Sequence, residues 1–194
     1  TVSVSELVSY LRASSATIRR DLTDLETEGI VMRTHGGARL IQTNESIDAV
    51  SELPIKRKID IRIHEKIRIA KYAANLVNDG EYVFLDSGTT PAYIYDFVIN
   101  KKVTIVTNNL MLVDKVKPNE NAHIIFGAGE YNPALKLVSG YLYLDIISRF
   151  NFSHAFIGAT GFDLQLEQCT CTTAETASFK KCAMGNSRNS YLVA

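Results

Sequence analysis

Four short apolar segments organise the chain beyond residue 59, and small polar residues follow each of them. The segments span residues 81–86, 103–107, 123–126 and 154–158. Each is apolar through its middle and is bounded by turn residues, as expected for strands that helices cover on both faces. Helix-like stretches lie around 91–99 and 110–116 and over 140–150, and an amphipathic stretch over 60–78 precedes the first strand. This alternation predicts an α/β fold with a doubly wound, mostly parallel sheet.

A region with a different pattern precedes this domain. A short helix with an apolar face begins at Ser3 or Ser5, and a longer helix follows it. Two strand-like runs then flank Gly36-Gly37, a pair well suited to the positive φ of a hairpin turn. We therefore expect two helices and a β wing over residues 1–43, a polar linker over 44–58 and the α/β domain over 59–194.

The charge balance excludes a generally basic protein. Lysine and arginine together number 21, as do aspartate and glutamate, so any affinity for DNA has to come from a local arrangement. No apolar run approaches the roughly 20 residues of a membrane helix, and nothing at the N-terminus resembles a secretory signal. We therefore expect a cytoplasmic protein with no membrane contact.

The three cysteines are expected to be reduced thiols. Cys169, Cys171 and Cys182 cannot all pair within one chain, and disulfides are rare in cytosolic proteins. Cys169 and Cys171 have no second Cys or His pair nearby, so their spacing does not favour zinc. A redox-sensitive role would need a neighbouring positive charge. We expect no metal site and passive loop positions.

The longer N-terminal helix carries the candidate DNA contacts. If Ile18, Leu22 and Leu25 face the core, a rotation of about 100° per residue turns the remaining side chains outward. Arginine can grip guanine in the major groove, and hydroxyl groups can hold phosphates. The candidates on the helix and on the wing are Ser15, Thr17, Arg19, Arg20, Thr23, Arg33, His35 and Arg39. The alternative is a solvated helix whose arginines pair with acidic neighbours such as Asp21 and Asp24.

The order of short motifs in this region resembles one family closely. TIRRDL, LETEGI and RTHGGARL follow one another as they do in the winged helix-turn-helix of DeoR-family transcription regulators. The resemblance implies DNA binding through the longer helix. In that family a further helix precedes the stretch that starts here at Thr1, so the resemblance also implies a truncated and loosely packed N-terminal domain.

The small polar residues that follow the strands are the candidate ligand contacts. In an open parallel sheet, ligands bind beyond the carboxyl ends of the strands, near helix N-termini that attract anions. Pro91 is expected to be the first helical residue after the first strand. The candidates are Asp86, Ser87, Gly88, Thr89, Thr90, Thr107, Asn108, Gly127 and Gly161. The alternative for each loop alone is an ordinary helix cap.

Together these loops predict a pocket for a compact, hydroxylated, phosphorylated ligand. Asp86 can accept hydrogen bonds from sugar hydroxyls, and Gly88 lets the backbone approach a phosphate. Neither a Walker lysine motif nor a GxGxxG fingerprint is present, which disfavours nucleoside triphosphates and dinucleotides. We expect no cofactor.

The α/β region also resembles the DeoR family, through its sensor domain. LDSGTT, VTNN and AFIGATGFD occur in the family's order. The resemblance implies a fold similar to ribose-phosphate isomerases and coenzyme A transferases, with a phosphosugar held at Asp86 to Thr90, Thr107 and Asn108. It adds Glu175 and a lysine, for which Lys181 fits the spacing to Met184 better than Lys180. It also implies that the sensor domain continues past residue 194.

The combined expectation is a transcriptional regulator and not an enzyme. A repressor of sugar metabolism genes would bind operator DNA as a homo-oligomer, and a phosphorylated sugar would control it. The alternative is a phosphosugar isomerase, with Asp86 or Glu175 as general base and Lys181 as the stabilising charge.

Overall fold

The computed structural model describes residues 1–27, 30–34, 36–40 and 54–194. These residues fall into two compact units. The N-terminal unit contains the described residues up to 40 together with 56–62, and the C-terminal unit contains 54–55 and 63–194.

Two helices and a small sheet form the N-terminal unit. Its elements are β1 (Val2–Ser3), α1 (Val4–Leu11), α2 (Ser15–Thr27), β2 (Val31–Thr34) and β3 (Gly37–Leu40). Ser3 caps α1 in a capping box, because its hydroxyl accepts from the Glu6 N–H while the Glu6 carboxylate accepts from the Ser3 N–H. The core contains Val4, Ile18, Leu22, Val31 and Ala38, which agrees with the buried face inferred for the longer helix.

The sheet of the N-terminal unit contains a strand, β1, that the sequence pattern did not predict. β3 lies between β1 and β2 in an antiparallel sheet, with Val2 opposite Ala38. Gly36 has the positive φ expected of the turn, at 90°. Gly37 is required for a different reason, since a Cβ there would lie 2.1 Å from the carbonyl oxygen of Val2. A two-residue strand leaves no period-2 signal to detect.

Helices and strands alternate through the rest of the chain. The elements are α3 (Ile55–Lys58), α4 (Ile63–Asn75), β4 (Tyr82–Leu85), α5 (Thr89–Val98), β5 (Thr104–Thr107), a 3-10 turn (Leu110–Leu112), β6 (His123–Phe126), β7 (Glu130–Asn132), β8 (Leu137–Ser139), α6 (Tyr141–Ser148), β9 (Phe152–Ile157), β10 (Gly161–Asp163), β11 (Gln168–Thr170), α7 (Ala174–Gly185) and β12 (Ser187–Leu192).

A parallel sheet with the order β12-β9-β4-β5-β6 forms the centre of the C-terminal unit. Its helices cover both faces. One core joins α4 and α5 to the sheet around Leu85 and Ile105, and the other joins α6 and α7 around Phe84 and Val106. The prediction of an α/β fold with a mostly parallel, doubly wound sheet is therefore confirmed.

Three local features differ from the sequence-based expectation. The helix expected over 110–116 is a single 3-10 turn, which Asn109 caps by accepting from the Met111 N–H. Helix α7 was not foreseen, because it buries only Phe179 and Ala183 and so has little apolar periodicity. Two short hairpins, β7–β8 and β10–β11, were also missed, since their strands have only three residues each and β7, β10 and β11 are largely exposed.

Candidate functional site

A buried ion pair lies at the carboxyl end of the sheet. Asp86 directly follows β4 and is 2% exposed. Its Oδ2 accepts hydrogen bonds from Lys180 Nζ, on α7, and from the Gly158 N–H at 2.9 Å. Lys180 Nζ also donates to the Gly158 carbonyl at 2.9 Å. Three elements, β4, β9 and α7, are therefore joined at one point by complementary charges.

Helix α5 begins beside this ion pair with an open N-terminus. Its N-cap is Gly88, at a φ of 108°, and no side chain caps the helix. Thr89 and Thr90, both buried, are its first two residues, so the helix starts two residues before Pro91 and not at it. The ring nitrogen of Pro91 carries no hydrogen. The first two N–H groups and the positive end of the helix dipole are therefore arranged to attract an anion.

A pair of side chains fixes the loop that leads to α5. Asn109 Nδ2 donates to the carbonyls of Asp86, at 3.2 Å, and Gly88, at 2.8 Å. The Thr107 hydroxyl donates to the Leu85 carbonyl at 2.6 Å and accepts from the Asn109 N–H at 3.0 Å. Thr107 was expected to contact a ligand. In the structure its hydroxyl links β5 to β4.

Two buried polar atoms at this edge lack hydrogen-bond partners within the described part of the chain. One is Asn108 Oδ1, and the other is the hydroxyl of Tyr143. Burial is the main reason that the pKa of Tyr143 lies well above its usual range, and the negative charge of Asp86 raises it further. The backbone N–H of Asn108, which approaches the hydroxyl, has the smallest effect and lowers the pKa.

The absence of a side chain at Gly127 makes room for Tyr143. A Cβ at this position would lie 2.0 Å from Cδ2 of the tyrosine ring. On its other side the ring meets Phe179 edge-on, with centroids 5.1 Å apart. Gly127 was expected to contact a ligand, and in the structure it also makes room for the Tyr143 ring.

Three of the expected ligand contacts lie apart from the ion pair. Lys181 is exposed, and its neighbour Lys180, which the spacing did not favour, is the lysine that reaches Asp86. Consecutive helical residues point about 100° apart, so only one of them can face the sheet. Glu175 is exposed on the first turn of α7. Gly161 pairs with Thr170 in the β10–β11 hairpin.

An apolar cavity lies elsewhere in the C-terminal unit. Its volume is about 420 Å³, and Ile69, Tyr72 and Tyr191 are among its lining residues. None of the polar groups gathered around Asp86 lines it.

The candidate DNA contacts occupy the outer face of α2 and the wing. Ser15, Arg19, Arg20 and Thr23 are exposed, whereas Ile18 on the opposite face is 2% exposed. Residue Ser14, which precedes Ser15, accepts from the Thr17 N–H at 3.1 Å and so caps the helix. The exposed face is therefore the one that helical spacing predicted.

The wing is tied to α2 by one of its arginines. Arg33 Nη1 donates to the Thr23 hydroxyl at 3.0 Å, and the Arg33 N–H donates to Glu26 Oε1 at 3.1 Å. Arg39, also exposed, has Nη2 at 3.4 Å from Met32 Sδ. His35 lies outside the described residues. Arg33 therefore lies against the exposed side of α2 that carries Thr23.

A winged helix-turn-helix attached to an α/β domain with a buried polar site defines a class of protein, the effector-responsive transcription regulator. Family models match both units: a DeoR-like helix-turn-helix domain over residues 1–44 and a DeoR C-terminal sensor domain over 61–194. The chain belongs to the DeoR family and is a DNA-binding transcriptional regulator. The family expectation drawn from its motifs is confirmed.

Curated relatives match over most or all of the chain. The HTH-type transcriptional regulator FruR of Bacillus subtilis is 30% identical over all of this chain and 74% of its own length. The glycerol-3-phosphate regulon repressor of Escherichia coli is 34% identical over 84% of this chain and 62% of its own length. The lactose phosphotransferase system repressor of Streptococcus mutans is 29% identical over 100% of this chain and 75% of its own length.

A solved structure of ribose 5-phosphate isomerase A from Methanocaldococcus jannaschii aligns with a TM-score of 0.46 at 18% identity, over 67% of this chain and 51% of that one. Within the described residues, no helix has both the length and the apolar character needed to cross a membrane.

Proposed function

We propose that the protein represses sugar metabolism genes and that a phosphorylated sugar controls it by binding beside Asp86 and Lys180. The observation that carries this proposal is the buried ion pair next to the uncapped N-terminus of α5. A phosphate suits the open N–H groups of Thr89 and Thr90 and the ammonium of Lys180. Sugar hydroxyls suit the carboxylate of Asp86.

The names of the relatives support the same ligand class. One relative is a repressor of a glycerol-3-phosphate regulon, and another represses a lactose phosphotransferase system. The first name contains a phosphorylated polyol and the second contains a sugar.

The DNA partner is proposed to be a double-stranded operator that α2 and the wing contact. Arg20 and Arg19 are exposed at the N-terminal half of α2, the part of a recognition helix that meets base edges. One small domain supplies little affinity by itself, so we propose a homo-oligomer whose paired domains bind half-sites about one helical turn apart or a multiple of it. Acting on chromosomal operators, the protein would work in the cytoplasm.

Control requires only that the sugar phosphate bind the DNA-competent and DNA-incompetent states with different affinity. A coupling free energy of about 1 to 3 kcal/mol is typical and changes operator affinity about 5- to 150-fold. The same coupling acts in reverse, so operator DNA must change the affinity for the sugar phosphate by an equal factor.

The first experiment measures operator binding with a matched pair of arginine variants. Arg20→Ala is expected to weaken binding to the protein's own promoter by about 1–3 kcal/mol, the usual cost of losing an arginine–guanine contact. Arg149→Ala is the control, because it removes the same charge from the exposed C-cap position of α6. Equal losses in both variants would mean that Arg20 contributes only general electrostatics.

The second experiment identifies the ligand. A thermal-shift screen of sugar phosphates is expected to yield at least one that raises the melting temperature, because a ligand of the native state stabilises it according to its occupancy. That compound should also change the gel shift of the promoter fragment. If no member of the panel does either, the proposed control by a phosphosugar is wrong.

A phosphosugar isomerase remains the alternative hypothesis. In that case Asp86 would abstract a proton, yet its Oδ2 already accepts from Lys180 and from the Gly158 N–H. Accepting a proton from a substrate at Oδ2 would disrupt both of these contacts. Incubation with candidate sugar phosphates decides between the two, because turnover at ordinary enzyme rates would contradict the regulator proposal.

A further inference from the structure

Three buried side-chain atoms among the described residues lack a hydrogen-bond partner, and two of them lie at the carboxyl edge of the sheet, whereas the third, His154 Nδ1, is on β9. Asn108 is 3% exposed and Tyr143 is 0% exposed, and neither Asn108 Oδ1 nor the Tyr143 hydroxyl has a hydrogen-bond partner within the described residues. Native proteins satisfy the great majority of such atoms, so an orphaned pair beside a candidate ligand site calls for an explanation.

The hydrogen bond made by Nδ2 of Asn108 fixes the orientation of its side-chain amide. Nδ2 donates to the Val138 carbonyl at 3.1 Å, and the Asn108 backbone carbonyl accepts from the Val138 N–H at 3.0 Å. Only the nitrogen of the amide can donate to a carbonyl. Oδ1 is therefore an acceptor, and it points away from β8.

The Tyr143 hydroxyl is equally unable to swing to another partner. The ring is held between the backbone of Gly127 and the ring of Phe179, and α6 carries it. Because its pKa is raised, the hydroxyl keeps its proton and is available as a donor. A fixed donor and a fixed acceptor thus lie at the same edge, close to Asp86.

We propose that Tyr143 is a specificity-determining residue, whose hydroxyl donates to one hydroxyl group of the bound sugar phosphate while Asn108 Oδ1 accepts from that same group. This inference rests on the function proposed above. It assigns the ligand a free hydroxyl in addition to the phosphate that α5 and Lys180 attract. A site that leaves buried polar atoms unpaired when a hydroxyl is missing rejects the deoxy analogue strongly.

The test compares pairs of ligands that differ by one hydroxyl. Ribose 5-phosphate and 2-deoxyribose 5-phosphate form one pair, and glucose 6-phosphate and 2-deoxyglucose 6-phosphate form another. Calorimetric titration of the wild-type protein should show a preference of about tenfold or more for the hydroxylated member of at least one pair. Tyr143→Phe, which keeps the ring and removes only the oxygen, should abolish most of this preference while phosphate-dependent binding persists.

Tyr95→Phe provides a matched control in the same unit. Tyr95 is also buried, at 1% exposure, but its hydroxyl donates to Glu120 Oε2. Its replacement should lower the thermal stability and leave the ligand preference unchanged. Tyr143→Phe should instead leave the stability of the unliganded protein equal or higher, since it removes a buried hydroxyl that has no partner.

Three results would overturn the inference, and they separate it from the proposed function. If Tyr143→Phe lowers stability as Tyr95→Phe does and keeps the ligand preference, a trapped water satisfies the hydroxyl. If the wild-type protein binds sugar phosphates without discriminating within any pair, the inference is wrong while the proposed function stands. If the wild-type protein binds no sugar phosphate at all, both fail together.

Discussion

The proposed DNA-binding surface and the Asp86 site hold their polar groups in opposite ways. On α2 and the wing the candidate contacts are exposed, and Thr23 and Arg33 hydrogen-bond to each other in solvent. Around Asp86 and Lys180 the polar groups are buried and fixed by several partners. A surface that meets a polyanion can leave its cations in water until the partner arrives. A small-ligand site has to be organised beforehand, so substitutions there should cost more stability.

The largest effect is expected from replacing one of two adjacent lysines. Lys180→Met removes the cation that compensates the buried carboxylate of Asp86, and breaking a buried pair in this way costs about 3–5 kcal/mol of unfolding free energy. Lys181→Met is the matched control, because Lys181 is exposed on the same helix. It should change stability by less than about 0.5 kcal/mol. Urea denaturation of both variants measures the difference.

The proposed difference in organisation between the Asp86 site and the exposed surface is wrong if Lys180→Met and Lys181→Met unfold with the same free energy. Equal stabilities would mean that the Asp86–Lys180 pair is solvated and contributes no more than a surface salt bridge. A stabilised Lys180→Met variant would also contradict the expectation. In either case the site would be no more organised than the surface of α2.

The elements that sequence periodicity predicted are those with one strongly apolar face. Ile18 and Leu22 marked the buried side of α2, and the apolar cores of β4, β5 and β9 marked the sheet. Parallel strands end at a common edge, so the carboxyl-end residues were foreseen as neighbours. Hydrophobic periodicity was sufficient to predict a helix or strand wherever burial was continuous along that element.

The lysine and the tyrosine of the site show where such reasoning ends. Helix α7 has little apolar periodicity, so the sequence gives no means of deciding which of Lys180 and Lys181 faces the sheet. In the sequence Tyr143 cannot be distinguished from other aromatic core residues, and its contact with Gly127 joins two different parts of the fold. Contacts between elements leave no local spacing in the sequence. The resemblance to a family added the expectation of a lysine in this part of the chain but did not distinguish Lys180 from Lys181.

The next largest effect is expected at the glycine under Tyr143. Gly127→Ala places a Cβ 2.0 Å from the ring, and forcing an extra carbon into a packed core costs about 1–3 kcal/mol. Gly185→Ala, in α7, is the control, because a Cβ there meets nothing within 4 Å. It should stabilise the protein by about 0.5–1 kcal/mol, since alanine restricts the unfolded chain. Thermal denaturation should therefore move in opposite directions for the two variants, and parallel shifts would contradict the seating of Tyr143 on Gly127.

The smallest effect is expected where the wing meets α2. Thr23→Val keeps the branched shape and removes the hydroxyl that receives Arg33 Nη1, so stability should change by less than about 0.5 kcal/mol. Operator affinity should fall about two- to fivefold, because Arg33 loses the bond that orients it. A double-mutant cycle with Arg33→Met separates this from a direct contact of Thr23 with DNA, since the two losses should be less than additive. Full additivity would assign Thr23 its own DNA contact. A stability loss comparable to that of Lys180→Met would show that the exposed surface is organised as rigidly as the buried site.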